Sequence, residues 1–221
     1  MKEINLRKIH LKPMHSYRDR GKPITKNTAG ISKGTMLMHH DQLYMGYVNK
    51  ANEIENRLDS LAEEIVQNNT TRGNATYSEL RALKENETYA VNGIYLHEWY
   101  FELVGATGNR QEAPDLSSAL AAQYGSLEAF IKFFSQCAMA ARGWTVLAWD
   151  THENRLRIFN CDSHNQGSVW GALPIIVLDV YEHAYMMDFG ADRESYIRVF
   201  WETFNWSTAN ELYKKVSTVR L

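Results

Sequence analysis

The chain has 221 residues, 44% of them hydrophobic and 23% charged. That is ordinary globular composition, and the chain is long enough to bury a substantial core as one large domain or two modest ones. Twenty-four Lys and Arg against 26 Asp and Glu leave a net charge of -2. This balance excludes the basic excess of a nucleic-acid binder and leaves no global field to attract an anion, so any steering of a charged substrate must be local. The two cysteines, Cys137 and Cys161, cannot build a disulfide framework or a Cys-rich zinc site. The first 22 residues are polar and basic without an apolar segment of signal-peptide length, and no stretch approaches a membrane span. The expectation is a soluble protein of a reducing, cytoplasmic compartment with no nucleic-acid or membrane partner.

Residues 1–30 hold Pro13, Pro23 and scattered charges with no sustained period, and read as an extended arm laid over the domain. From Ser32, a helix cap, the pattern turns helical, with Met36, His39, Leu43, Gly46, Tyr47 and Lys50 at spacings of three and four. Ala51 to Gln67 continues it with the stripe Ile54, Leu58, Leu61 and Ile65, until the polar run from Asn68 to Asn74 breaks it. A further helix is expected over about Glu87 to Leu103, then a loop from Gly108 to Asp115, then helices over Leu116 to Tyr124 and Leu127 to Ala138.

The character changes after Arg142. Trp144 to Trp149 and Arg155 to Phe159 read as strands joined by a turn over residues 150–154, and Pro174 to Val180 as a third, nearly continuous apolar strand. Helices over Arg193 to Phe204 and Ser207 to Val216 close the chain. An all-helical part followed by a mixed part predicts an α+β fold: a helical-hairpin domain over residues 1–110, then an α/β domain over 111–221 with a small, about three-stranded antiparallel sheet.

The eight histidines differ in their surroundings. His10, His15 and His152 lie in polar segments, as surface histidines without function do. His39, His97 and His183 lie on apolar stretches, and Asp179 ends a buried strand four residues before His183. An ionised carboxylate in a dry core needs a partner, a proton or a metal. Three neutral imidazoles with one carboxylate suit manganese, iron and zinc alike, so residue types support a mononuclear site and leave both a Lewis-acid hydrolase and a redox enzyme open.

The run Leu178-Asp-Val-Tyr-Glu-His-Ala-Tyr185 resembles the Asp-x-Trp-Glu-His-Ala signature of the iron/manganese superoxide dismutase family. The resemblance spans most of the chain. Gly30 to Met36 with His39 and Tyr47-Val48 resembles the first helix of that family, and His97 with its aromatic run the second ligand helix. Gln123 to Ser126, Gly143-Trp144 and Phe200 to Trp206 resemble its C-terminal domain. The resemblance implies one manganese or iron ion per subunit, ligated by His39, His97, Asp179 and His183 and cycled to convert superoxide into oxygen and hydrogen peroxide. It implies Tyr47 as the tyrosine near the substrate channel. It also implies a two-fold homodimer, which could pair into a tetramer, with Glu182 reaching the metal-ligating histidine of the other subunit.

Several positions depart from the family pattern. Gly93 stands where iron-type members commonly carry a glutamine that bonds the metal's solvent ligand, and His164 stands where manganese-type members supply one from the C-terminal domain, with Gln166 as the fallback. Leu43 and Met186 replace a His–Tyr pair that links the two subunits, Tyr181 replaces a tryptophan and Val146 a pocket aromatic. The alternatives are an inactive structural homologue within a larger assembly, against which the four retained ligands argue, and a zinc hydrolase, which lacks an obvious general base.

Overall fold

The computed structural model of the chain describes residues 16–21, 30–68 and 72–221. His10, His15, the two arm prolines and Asn69 lie outside them, as does most of the expected arm.

The Ser32 side chain accepts a hydrogen bond from Thr35 N and starts α1 (Lys33–Met38). The helix then widens into a π turn over His39–Tyr44 and continues as α2 (Met45–Asn68). A π turn accommodates one extra residue, so the inward stripe shifts. Up to its first residue Thr35, Met36 and His39 are buried; from its last residue onward Tyr44, Val48, Ala51, Ile54, Leu58 and Leu61 are. The expected stripe ignored that shift, which is why Gly46 and Lys50 prove exposed. The described piece of the arm lies on this helix, where Asn52 Oδ1 accepts from Tyr17 N at 2.7 Å and Tyr44 Oη accepts from Arg20 N and Gly21 N.

The returning helix α3 (Glu79–Leu103) completes a helical hairpin. It starts two turns before the expected Glu87, capped by Ser78, whose hydroxyl accepts from Arg81 N. Its first turns are mostly exposed, so they carry little apolar period, and the cap is their main local signal. The expected loop from Gly108 to Asp115 contains a 3₁₀ turn, Arg110–Glu112, and already includes the start of α4 (Pro114–Tyr124), with proline at the helix start, where its missing N–H costs nothing. Gly125, at φ 89°, ends α4, and the Ser126 hydroxyl caps α5 (Leu127–Ala140).

The sheet is antiparallel with strand order β2-β1-β3. The strands are β1 (Trp144–Asp150), β2 (Arg155–Cys161) and β3 (Ala172–Asp179), each somewhat longer than or displaced from its sequence expectation. Asp150 Oδ1 accepts from the backbone of His152 and Glu153 and so closes the β1–β2 turn. Leu147 pairs with Ile176 while Ala148 pairs with Pro174, so β3 carries one extra residue at Ile175. Pro174 lacks a ladder donor, and a bulge beside it absorbs that loss.

After β3 come a 3₁₀ turn (Glu182–Ala184) and the short α6 (Met186–Phe189), neither anticipated, then α7 (Arg193–Glu202) and α8 (Trp206–Val216). α3 packs against β3, and one continuous buried cluster runs from Ile31 through the sheet to Ala209. The helical hairpin and the sheet therefore meet over shared core, and the histidines stand on that contact.

Candidate metal centre

Four side chains converge where α3 meets the end of β3. His39 opens the π turn, His97 lies near the C-terminal end of α3, Asp179 is the last residue of β3 and His183 sits in the turn that follows. One ligand atom from each can be chosen so that all lie within 4.8 Å of one another, and among the described residues no other such group occurs. Asp179 Oδ2 is the hub: the Nε2 atoms of His39, His183 and His97 stand 3.2, 3.2 and 3.6 Å from it. His39, His97 and Asp179 are fully buried, while the His183 side chain keeps 23% of its exposure and marks the open side.

Hydrogen bonds fix how each group points. The His97 Nδ1–H donates to Gly93 O at 2.5 Å, one turn earlier on α3, which leaves Nε2 as a bare lone pair aimed at the hub. Asp179 Oδ1 accepts from Tyr181 N at 2.9 Å, and its backbone carbonyl accepts from the Tyr196 hydroxyl at 2.7 Å. The Nε2 atoms of His39 and His97 are buried without an aligned hydrogen bond. A buried polar atom left unpaired costs about 1–3 kcal/mol, so two of them facing one carboxylate fit a position built around a cation. The donor set, three nitrogens and one carboxylate oxygen, suits manganese, iron or zinc.

Electrostatics favour the same use. Burial pushes the proton affinity of His39 down and that of His97 well down, which favours the neutral imidazoles a cation would need. Burial acts on His183 in the same direction, but the charge of Asp179 and its hydrogen bond outweigh it and raise His183. For Asp179, burial opposes the charge, yet His183 and His39 together hold the carboxyl well below its ordinary range. An ion at the hub would take over from the proton on His183 as the partner of this carboxylate.

Around the open side stands a shell of rings. Trp144, which pairs with Asp179 across β1 and β3, donates its indole N–H to His164 Nδ1 at 2.9 Å. Nδ1 therefore accepts, and Nε2–H donates to the Tyr47 hydroxyl at 2.8 Å. His164 is buried, and burial lowers its pKa to about 4. The structure thus places His164 against Tyr47 and leaves Gln166 exposed. Gly93 owes its identity to Tyr47: a Cβ there would lie 2.9 Å from the Tyr47 ring, so no larger residue fits without moving that ring. Tyr181 stacks on His183 at 5.3 Å, and Val146 is buried and lines, with His164, a cavity of about 190 Å³ between α3 and the sheet.

Two other residues were not singled out from sequence. His40, next to His39, is buried but turns away, bonding Asp41 and Gly21 O, and ties down the arm instead of joining the cluster. Tyr89 joins the ring shell, 4.5 Å from His164 between ring centres. The spacing Tyr89, Gly93, His97, one helical turn apart each time, was the signal that could have found it. Glu182, Met186 and Met187 are exposed together beside His183, whereas Leu43 is half-buried; His152 is exposed, as expected.

Residues 112–212 match the family model described as "Iron/manganese superoxide dismutases, C-terminal domain". Over 208 residues, 94% of this chain and 90% of the relative, the sequence is 36% identical to the "Superoxide dismutase [Fe]" of Aquifex pyrophilus. It is 34% identical to the "Superoxide dismutase [Mn] 1" of Halobacterium salinarum over 85% of this chain and 88% of the relative. The "Superoxide dismutase [Fe]" of Saccharolobus solfataricus is 29% identical over 98% of both chains.

Proposed function

The chain belongs to the iron/manganese superoxide dismutase family, and from that premise we propose that His39, His97, Asp179 and His183 hold the single manganese or iron ion with which it converts superoxide to oxygen and hydrogen peroxide. The observation that carries the assignment is the pair of buried, unpaired Nε2 atoms facing Asp179. Nothing structural requires them, so an inactive scaffold is the weaker reading. When bound, the ion supplies the alternation of oxidation state that takes an electron from one superoxide and gives one to the next. The balance is two superoxide anions and two protons to one oxygen and one hydrogen peroxide.

The residues of the chain do the rest. His39, His97 and His183 are neutral donors, and Asp179 supplies the negative charge that holds a cation in an otherwise apolar interior. The Gly93 carbonyl fixes the His97 tautomer. Trp144 orients His164, and His164 orients Tyr47, so the Tyr47 hydroxyl enters the site with a defined hydrogen-bond direction. Tyr47 and His164 are the groups placed to hand a proton inward from the solvent side. His164 is the first candidate for the group beside the metal's solvent ligand, and Gln166, exposed on the same loop, is the fallback.

Relatives of comparable identity carry Fe in one printed name and Mn in another, and either ion fits the donors here. We assign a two-fold dimer in which Glu182 reaches the His183 of a second copy. Its exposure beside His183, with Met186 and Met187 uncovered next to it, supports that arrangement, and a tetramer would be built from such dimers. Leu43 and Met186 would then form an apolar contact where many members carry a polar one. Residues 1–110 and 111–221 are proposed as the two domains that contribute two ligands each, working in the cytoplasm. Among the described residues no helix is long and apolar enough to cross a membrane.

Metal analysis together with a superoxide assay on the purified protein tests the assignment. About one manganese or iron per chain with dismutation is expected; zinc alone without dismutation would overturn it.

A further inference from the structure

The segment between β2 and β3 holds one large apolar side chain out in water. Trp170 is 95% exposed, more than any other large hydrophobic residue described. The loop that presents it is pinned at several points. Asn165 Nδ2 donates to Thr88 Oγ1 at 3.2 Å and ties the loop to α3, Ala172 N donates to Val169 O at 3.0 Å, and Thr151 Oγ1 donates to Gly171 O at 2.7 Å. Val169, 45% exposed, and Tyr95, 40% exposed, extend the apolar surface toward a cavity that both of them line. An apolar patch fixed in water marks an interaction surface, and a loop already ordered loses little freedom on binding.

The cavity is the one of about 190 Å³ between α3 and the sheet. Val169 and Ala172, on either side of Trp170 in the chain, line it, while the indole itself stays outside. Leu96, Trp99, Val146, Phe159 and Pro174 supply apolar wall, and no Asp, Glu, Lys or Arg lines it. An aromatic knob beside an uncharged apolar hole has the composition of an interface core. Because knob and hole lie on one face, a two-fold axis between them lets each copy fill the other. A foreign apolar ligand would fill the hole and leave the indole in water, whereas a second copy covers both. An indole sunk into a cavity removes up to about 250 Å² of its own surface and a comparable area of wall. Two such contacts remove about 1,000 Å² in all, the threshold of a specific interface and more than ordinary lattice packing.

We propose that this face is an interface between copies of the chain, in which the Trp170 indole of each copy enters the cavity between α3 and the sheet of the other. It is separate from the Glu182 face and requires neither the metal nor the dismutase reading. For two free chains the contact is small; between copies already paired at Glu182 it becomes intramolecular and correspondingly stronger.

Sedimentation velocity of the metal-loaded protein over a range of concentrations tests it, with the variants Trp170→Ser and Ser168→Arg. The wild type should reach a species of twice the mass of Trp170→Ser at the same concentration, the variant associating at least about thirtyfold more weakly. Metal content and kcat/KM should stay unchanged, since the side chain removed is exposed. Ser168 is exposed and lines the cavity, so Ser168→Arg puts a charge there and should weaken association as well, with Trp170 in place. A mass distribution that neither variant changes overturns the inference, whether the wild type is a monomer or a dimer. If free indole also raises the Tm of that protein, the cavity belongs to a small aromatic ligand instead. A metal-loaded wild type without dismutation overturns the dismutase reading and leaves this inference standing on the masses alone.

Discussion

The two halves of the metal cluster are held in different ways. On the sheet side, Asp179 and His183 are bonded to each other, and Asp179 is further fixed by Tyr181 N and by the Tyr100–Tyr196 hydroxyl pair beneath its carbonyl. On the helical side, His39 and His97 are positioned by packing and, for His97, by one bond to Gly93, and their Nε2 atoms face the hub unpaired. The sheet side is therefore organised by its own hydrogen bonds, whereas the helical side leaves two buried nitrogens that an ion could complete. A carboxylate ending a strand can be anchored through backbone donors, which helical histidines pointing into a core do not have.

The sharpest way to break this comparison is at the hub. Asp179→Ala removes the one atom shared by all three histidines, and metal content by elemental analysis should fall to background together with dismutation. His39→Ala should lose both as well, while leaving the Asp179–His183 bond in place. A fully metallated, active variant of either kind would remove that residue from the site.

Next in size is an acid effect from the ring shell. The His164 pKa lies at about 4 in the native fold against 6.5 ordinarily. Between those values an unfolded chain binds a proton that the native one does not, so stability is fully present above about pH 6.5 and is lost as pH falls through about 4. The loss amounts to at most about 3 kcal/mol. Urea midpoints of the metal-free protein across that range should fall with acid, and His164→Gln should flatten part of the slope. In the metal-loaded enzyme, His164→Ala should keep the ion yet shift its reduction potential, and an unchanged potential and rate would exclude His164 from that role.

A smaller effect is expected at the notch. Gly93→Ala puts a methyl 2.9 Å from the Tyr47 ring. It should cost about 1–3 kcal/mol by overpacking, read from urea unfolding, and reduce activity while metal remains. If stability and activity both stay at wild-type values, the close approach is not what selects glycine here. Smallest of all, Ser78→Ala removes the cap of α3, about five turns before His97, and should cost about 1 kcal/mol with activity intact.

The four clustered residues were legible in sequence because each sits at a position whose local chemistry is unusual. A carboxylate at the end of an apolar strand and histidines within apolar runs stand out against the rule that buried polar groups need partners. The strands and most helices were legible through period and caps, and the resemblance to the family joined the ligands into one set. The start of α3 was missed because its exposed turns carry almost no apolar period. The stripe on the first helix was misplaced because a π turn inserts a residue without any change in composition.

What the tertiary structure alone decided is the relation between side chains from separate elements. That Tyr47 fills the space left by Gly93, that Trp144 sets the His164 tautomer, and that His40 turns away while His39 turns in depend on how α3 lies against β3 and on the widened turn. Hydrophobic period specifies which face of an element is buried, but not which partner meets it or at what distance. The sequence by itself pointed to the four residues that cluster and to the order of the elements that bring them. The packing of the hairpin on the sheet determined their distances and the ring shell between the site and water, because contacts between distant residues are set by shape and hydrogen-bond geometry rather than by local pattern.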